Sequence, residues 1–178
     1  MSDIIEEMYR KNPFSKFSVY TQVQIDQLKR VSDEILGILD RNNVVGVFDG
    51  NDSLRSYGLF WLWVLGAYEV FRTMKEHEQC FSEPLRPKIR ALERELAQVR
   101  MPFAKQQLQG QKDRAIGSEP SIVGVGEEDK DLLFQIEGNI VSCRKMLKRF
   151  TDFIQSVNHE EVLLDLRDHP NYRVPRRP

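Results

Sequence analysis

The stretch from residue 85 to 103 reads LRPKIRALERELAQVRMPF, and it decides the fold class. Leu85, Ile89, Leu92, Leu96, Val99 and Phe103 recur at steps of 4, 3, 4, 3 and 4 residues. That spacing puts six apolar side chains into one narrow seam of an α-helix, the pattern of antiparallel bundle packing. A helix is expected over about 84–108. Pro84 and Pro87 suit its first turn, where an N–H has no partner to lose. Pro102 is expected to kink it near its end.

A seam needs partners, and the chain before it supplies them. Over about 54–81 a second long helix is apolar nearly all round in its first half: Tyr57, Leu59, Phe60, Trp61, Leu62, Trp63, Val64 and Leu65. Such a helix is covered on several sides, as the centre of a core or at a subunit interface. Its apolar excess predicts a homodimer. Asp49-Gly50-Asn51-Asp52-Ser53 is turn chemistry, with Asp52 or Ser53 as the expected helix cap. Further back, Thr21 is the expected cap of a helix running to about Arg41. Its inward positions are Ile25, Leu28, Val31, Ile35, Ile38 and Leu39. Residues 2–11 carry a short helical pattern that Pro13 ends, and Val44–Phe48 reads as a short strand or an extended connector.

Beyond the seam, about 104–130 loses periodicity and gathers Gln and Gly, as in a flexible loop, with a short extended piece at 122–125. Leu132–Ile136 reads as a strand, Glu137-Gly138-Asn139 as a three-residue turn, and Ile140-Val141 as its return. Ser142 is placed to cap a helix to about Val157 that turns Leu147, Phe150, Ile154 and Val157 inward. Val162–Leu164 is one more short element. The fold class is therefore mainly α: a four-helix-type bundle with a small β-hairpin appendage. It forms one helical domain over 1–166, followed by an extended, basic, Pro-rich tail over 167–178.

Composition narrows the function classes. The 178 residues are 40% hydrophobic and 30% charged, with a net charge of -1. That is too apolar for a disordered chain and too charged for a membrane protein. The longest apolar run, Gly58–Tyr68, falls short of the roughly 20 residues that a membrane span needs. The first residues, Met1–Glu7, show no basic start before an apolar run. No signal peptide and no membrane are expected, and the cytoplasm is the expected compartment. Two cysteines make no disulfide framework, so Cys80 and Cys143 are expected to be reduced.

Glu69 and Arg72 interrupt an otherwise apolar helix, and their three-residue step puts them on one face. Four residues separate Arg72 from His77, near the same helix end. An Arg can hold a phosphate in a fork, and a neutral His can take a proton from a ribose 2′-hydroxyl. Together they would suffice for RNA cleavage without a metal. The same residues also read as a structural Glu69–Arg72 ion pair with His77 at the surface.

An Arg, four to six residues and then a His, set in a small helical bundle, resembles the HEPN (higher eukaryotes and prokaryotes nucleotide-binding) superfamily. The segment Trp61–Met74 resembles uncharacterised bacterial members, in which a Glu such as Glu69 accompanies the Arg. The resemblance implies a homodimer with the motif at its interface. It also implies, often, an RNA-cleaving role in toxin–antitoxin or phage-defence systems. Arg72 would then stabilise the phosphate and His77 would be the acid/base.

Charge is unevenly spread. Residues 83–114 hold eight Lys or Arg against four Asp or Glu. Arg86, Arg90, Arg94 and Lys105 fall on one side of the third helix, opposite the seam. With Arg173, Arg176 and Arg177 of the tail they form a candidate track for a nucleic-acid backbone, or simply a solvated helix face. His77 and Cys80 lack the second pair that a zinc site needs, and Val123–Glu127 lacks the Lys and Ser/Thr of a phosphate loop. No metal and no cofactor is expected. Three functional readings stand: a protein-interaction protein, an RNA-cleaving enzyme using Arg72 and His77, and a nucleic-acid-binding module without chemistry.

Overall fold

The computed structural model describes residues 2–41, 50–105, 122–126, 131–136 and 138–168. Among them are five α-helices and a three-stranded antiparallel sheet. In chain order these are α1 (Ser2–Lys11), α2 (Val19–Arg41), α3 (Gly50–Glu76), α4 (Leu85–Lys105), β1 (Ile122–Gly126), β2 (Asp131–Ile136), β3 (Asn139–Ser142) and α5 (Cys143–Ser156). Single 3-10 turns lie at Pro13–Ser15, Glu78–Cys80, His159–Glu161 and Leu166–Asp168. The chain is mainly α with a small antiparallel β element, as the apolar periodicity predicts. The 44–48 connector, the rest of the 104–130 loop and the tail from 169 onward fall outside the described residues.

Helix starts depart from the sequence reading by a few residues. α2 begins at Val19, and the Ser18 hydroxyl accepts the Thr21 N–H at 3.3 Å. Ser18 therefore takes the capping role expected of Thr21, which is buried in the first turn. Asp52 and Ser53 lie inside α3, whose first residue is Gly50. α3 also stops earlier than expected, at Glu76. Past it, the His77 carbonyl accepts the Cys80 N–H at 2.9 Å, a tighter 3-10 geometry.

α3 is the central helix. It packs on α2 and on α4, and at Gly66 it lies against α2 closely enough that a Cβ would meet Leu28 at 3.1 Å. All six seam residues of α4 are buried. Aromatic rings couple the remaining layers to α3. Phe60 stacks on Phe134 of β2 at 5.2 Å, and Phe103 of α4 meets Phe134 edge-on at 5.5 Å. Trp63 and Phe71 meet Phe150 and Phe153 of α5 at 5.3 and 5.1 Å. The sheet thus sits against the first half of α3 and α5 against its second half, from Trp63 to Phe71. Pro102 is buried inside α4, and the Trp61 indole N–H donates to the Phe103 carbonyl at 3.2 Å near that helix end.

The β2–β3 connection is tighter than a three-residue turn. Ile136 pairs directly with Asn139, which leaves two residues between the strands, and Gly138 takes a φ of 78°. Only glycine adopts that conformation without strain. β1 pairs with β2 on the other side, so the appendage is a three-stranded sheet in the order β1-β2-β3. Ser142 ends β3 and caps α5, accepting the Lys145 N–H at 3.0 Å. The buried Asp131 carboxylate reinforces this cap. It accepts the Ser142 hydroxyl and, at 2.9 Å, the Arg144 N–H.

The C-terminal segment closes the opposite end. Val162 bridges Phe81, and Ser82 N–H donates to the Glu161 carbonyl at 2.8 Å. Leu163 N–H reaches the Cys80 carbonyl and Leu166 N–H the Phe17 carbonyl, each at 2.8 Å. Asn158 and Glu161 form a reciprocal capping box over the turn between them. No helix among the described residues is long and apolar enough to cross a membrane.

Candidate functional site

Glu69 and Arg72 do meet. The guanidinium bonds Glu69 at 2.8 Å and, one turn on, Glu76 at 2.6 Å. Arg100 of α4 approaches the other Glu69 oxygen at 3.8 Å and lies over the Tyr68 ring at 4.6 Å. The result is a partly exposed ladder along the α3–α4 boundary. The Glu69 hydrogen bond, with further support from Glu76, raises the Arg72 pKa above its ordinary value. Two carboxylates occupy the guanidinium that would have to grip a phosphate.

His77 follows the last residue of α3 and stands before the first residue of the next 3-10 turn, with no capping bond from its side chain. Five residues on from Arg72, a helical path carries it about 140° around the axis. The sequence spacing therefore does not place both side chains on one face. Partly exposed ion pairs of this kind are worth little. Arg72→Ala is expected to change unfolding free energy by less than about 1 kcal/mol, readable by urea titration.

The basic stripe of α4 is also partly spoken for. Arg90 makes a bidentate pair with Glu78, both bonds 2.6 Å, and Arg86 Nε donates to the Phe81 carbonyl at 3.0 Å. Arg94 Nε donates to the Arg90 carbonyl, and Lys105 is exposed at the helix end. The Arg90 fork holds the Glu78 carboxyl below the usual carboxylate range. Glu78 thus binds a proton more weakly folded than unfolded. Its small stabilisation is present above the ordinary carboxylate pKa and is lost as pH falls through the lowered folded value. Arg173, Arg176 and Arg177 lie outside the described residues.

Two features stand out that sequence reasoning did not single out. One is the face shared by α1 and the start of α2. Ile4 is 76% exposed, Tyr20 73% and Val19 65%, and Ile5, Met8 and Val23 are also exposed. Met8, Val19 and Tyr20 line one hollow, so the two helices present a single surface. The available signal was the Ile4, Ile5, Met8 spacing, a stripe on a helix too short to stand alone.

The other feature is a hollow of about 390 Å³ walled by α4, β3 and α5. Val99, Ile136, Ile140, Val141 and Met146 line it together with Glu95, Lys145, Lys148 and Arg149. Arg149 bonds Glu95 at 2.9 Å. Among the described residues, no group of three or more His, Cys, Asp or Glu is placed to hold a metal ion. No family model matches the chain, and no curated protein and no solved structure does either.

Proposed function

We propose that this chain works by protein–protein contact, as a homodimer joined through the face that α1 shares with the start of α2. The observation that carries the reading is the exposure of Val19 and Tyr20 beside Met8, with the exposed Ile4 one helical turn before Met8. Ile5, Met8 and Val23 are exposed as well, and a stable interface buries roughly 800 Å² on each partner. Charge favours a second copy as the occupant. α1 begins with Asp3 and ends with Arg10 and Lys11. About a twofold axis crossing the helix, two copies run antiparallel and bring unlike ends together. Within the chain Glu6 hydrogen-bonds His159 at 2.7 Å and Glu7 pairs with Lys11 at 3.0 Å, so Arg10 is the cation of that end that faces a second copy.

The binding reading is also favoured over the HEPN-type ribonuclease by the Arg72 ladder, and over a bare nucleic-acid module by the Arg90–Glu78 fork. A toxin–antitoxin or phage-defence setting, which the resemblance implies, is compatible with a binding role.

Sedimentation equilibrium is expected to give twice the 20.9 kDa chain mass, and the Ile4→Asp, Tyr20→Asp double variant a folded monomer. Both positions are exposed, so an unchanged far-UV circular dichroism spectrum is expected with the loss of mass. RNA incubated without metal stays intact with the wild type and with His77→Ala. A monomeric wild type overturns the interface, and cleavage that His77→Ala abolishes overturns the binding reading.

A further inference from the structure

β3 is an edge strand: among the described residues it pairs with β2 on one side, and nothing continues the sheet on the other. The hollow beside it is lined by Asn139, Ile140, Val141 and Ser142 in succession. Successive side chains of a strand point to opposite faces, so a cavity touched by four in a row meets the strand's main chain as well as the face that it shares with Ile136 of β2. The pairing fixes what that edge presents. With two residues in the turn, Ile136 and Asn139 form the closing hydrogen-bonded pair. Ile140, the next residue, then directs its N–H and C=O away from β2 and toward the hollow.

The opposite wall gives the ligand its chemistry. Arg149 is paired with Glu95 and Lys148 with Asp152, which leaves Lys145 as the cation that faces the hollow, and the apolar lining comes from Val99, Ile136, Val141 and Met146. Ile140 itself is 58% exposed. A volume of about 390 Å³ is enough for one or two side chains but not for a folded element.

We propose that this groove binds an extended acidic peptide segment of a partner protein, added as a further strand to β3. Main-chain bonds to Ile140 hold the segment. An apolar side chain enters the hollow, and a flanking carboxylate meets Lys145. The site lies on different elements from the α1–α2 face and stands whether or not the chain dimerises.

The test uses the full chain and a fluorescein-labelled peptide, Glu-Val-Glu-Val-Glu, with Lys-Val-Lys-Val-Lys as control. Fluorescence anisotropy is expected to show the acidic peptide binding at least tenfold more tightly, and hydrogen exchange to show the Ile140 amide protected in its presence. Ile140→Pro removes the outward N–H at a position where an edge strand accepts proline, and it is expected to lose the peptide. Lys145→Glu leaves the strand alone and is expected to weaken binding at least tenfold. Circular dichroism on both variants reports whether the fold is kept. Equal affinity for the two peptides, an unprotected Ile140 amide, or no binding at millimolar peptide overturns the proposal. Protection of Ile140 by the chain's own self-association, without peptide, also overturns it, in favour of β3 pairing between copies.

Discussion

Phe134→Ala is expected to lower the unfolding free energy by about 3–5 kcal/mol, the range for emptying a fully buried aromatic site. Phe134 is wholly buried and meets Tyr57, Phe60 and Phe103, rings from two different helices. Its loss would open a void that those rings can close only by leaving their own positions. Native single domains hold only about 5–15 kcal/mol in total, so one such change removes a large share. Urea titration followed by tryptophan fluorescence would show the midpoint falling with an unchanged slope. Phe134→Leu keeps most of the volume and is expected to cost less than half as much. An alanine variant within about 0.5 kcal/mol of wild type would mean that the sheet is not anchored by this ring.

Asp131→Ala is expected to cost about 3 kcal/mol, more than an ordinary surface cap. The carboxylate accepts both the Ser142 hydroxyl and the Arg144 N–H, and it is buried together with Ser142. Removing it strands two donors where water has poor access, at roughly 1–3 kcal/mol for each buried group left unmade. It also removes a negative charge from the positive end of α5. Asp131→Asn retains one acceptor and loses the charge, and about half the effect is expected. Ser142→Ala tests the same cap from the other side, at about 1 kcal/mol. Thermal unfolding of the three variants should rank them in that order. Equal melting temperatures for Asp131→Ala and wild type would show that the cap is carried by Ser142 alone.

The local parts of this fold were legible in the chain. The seam of α4 reads directly from its spacing, and Ser142 reads as a cap because a serine there precedes an amphipathic run. What escaped was set by residues distant in sequence. Asp131 stands eleven positions before its hydroxyl partner, at the start of a strand, and nothing in the local pattern marks it as part of a helix cap. Arg90 reads as one of a row of exposed cations until Glu78, twelve residues away, folds back onto it. The Arg72–His77 spacing puts both residues near one helix end but not on one face, since five helical steps turn about 140°. The helix stops at Glu76, and the guanidinium has carboxylates closer to hand. The centrality of α3 was readable from its all-round apolarity. The open surface on α1 and α2 was not, because composition does not say which stripe is left uncovered.

The clasp formed by residues 158–166 has a consequence for how the molecule is made. Leu166 holds the Phe17 carbonyl and His159 the Glu6 side chain, contacts spanning about 150 residues of chain. Synthesis delivers α1 long before these fastenings, and until then Phe14 and Phe17 have only Phe153 and Phe81 to hold that end of the bundle. Closing so long a loop slows folding more than it weakens the finished structure. A nascent chain interrupted before Asn158 would carry a packed centre and a loose leading end, the kind of half-finished product that cellular proteases recognise and clear.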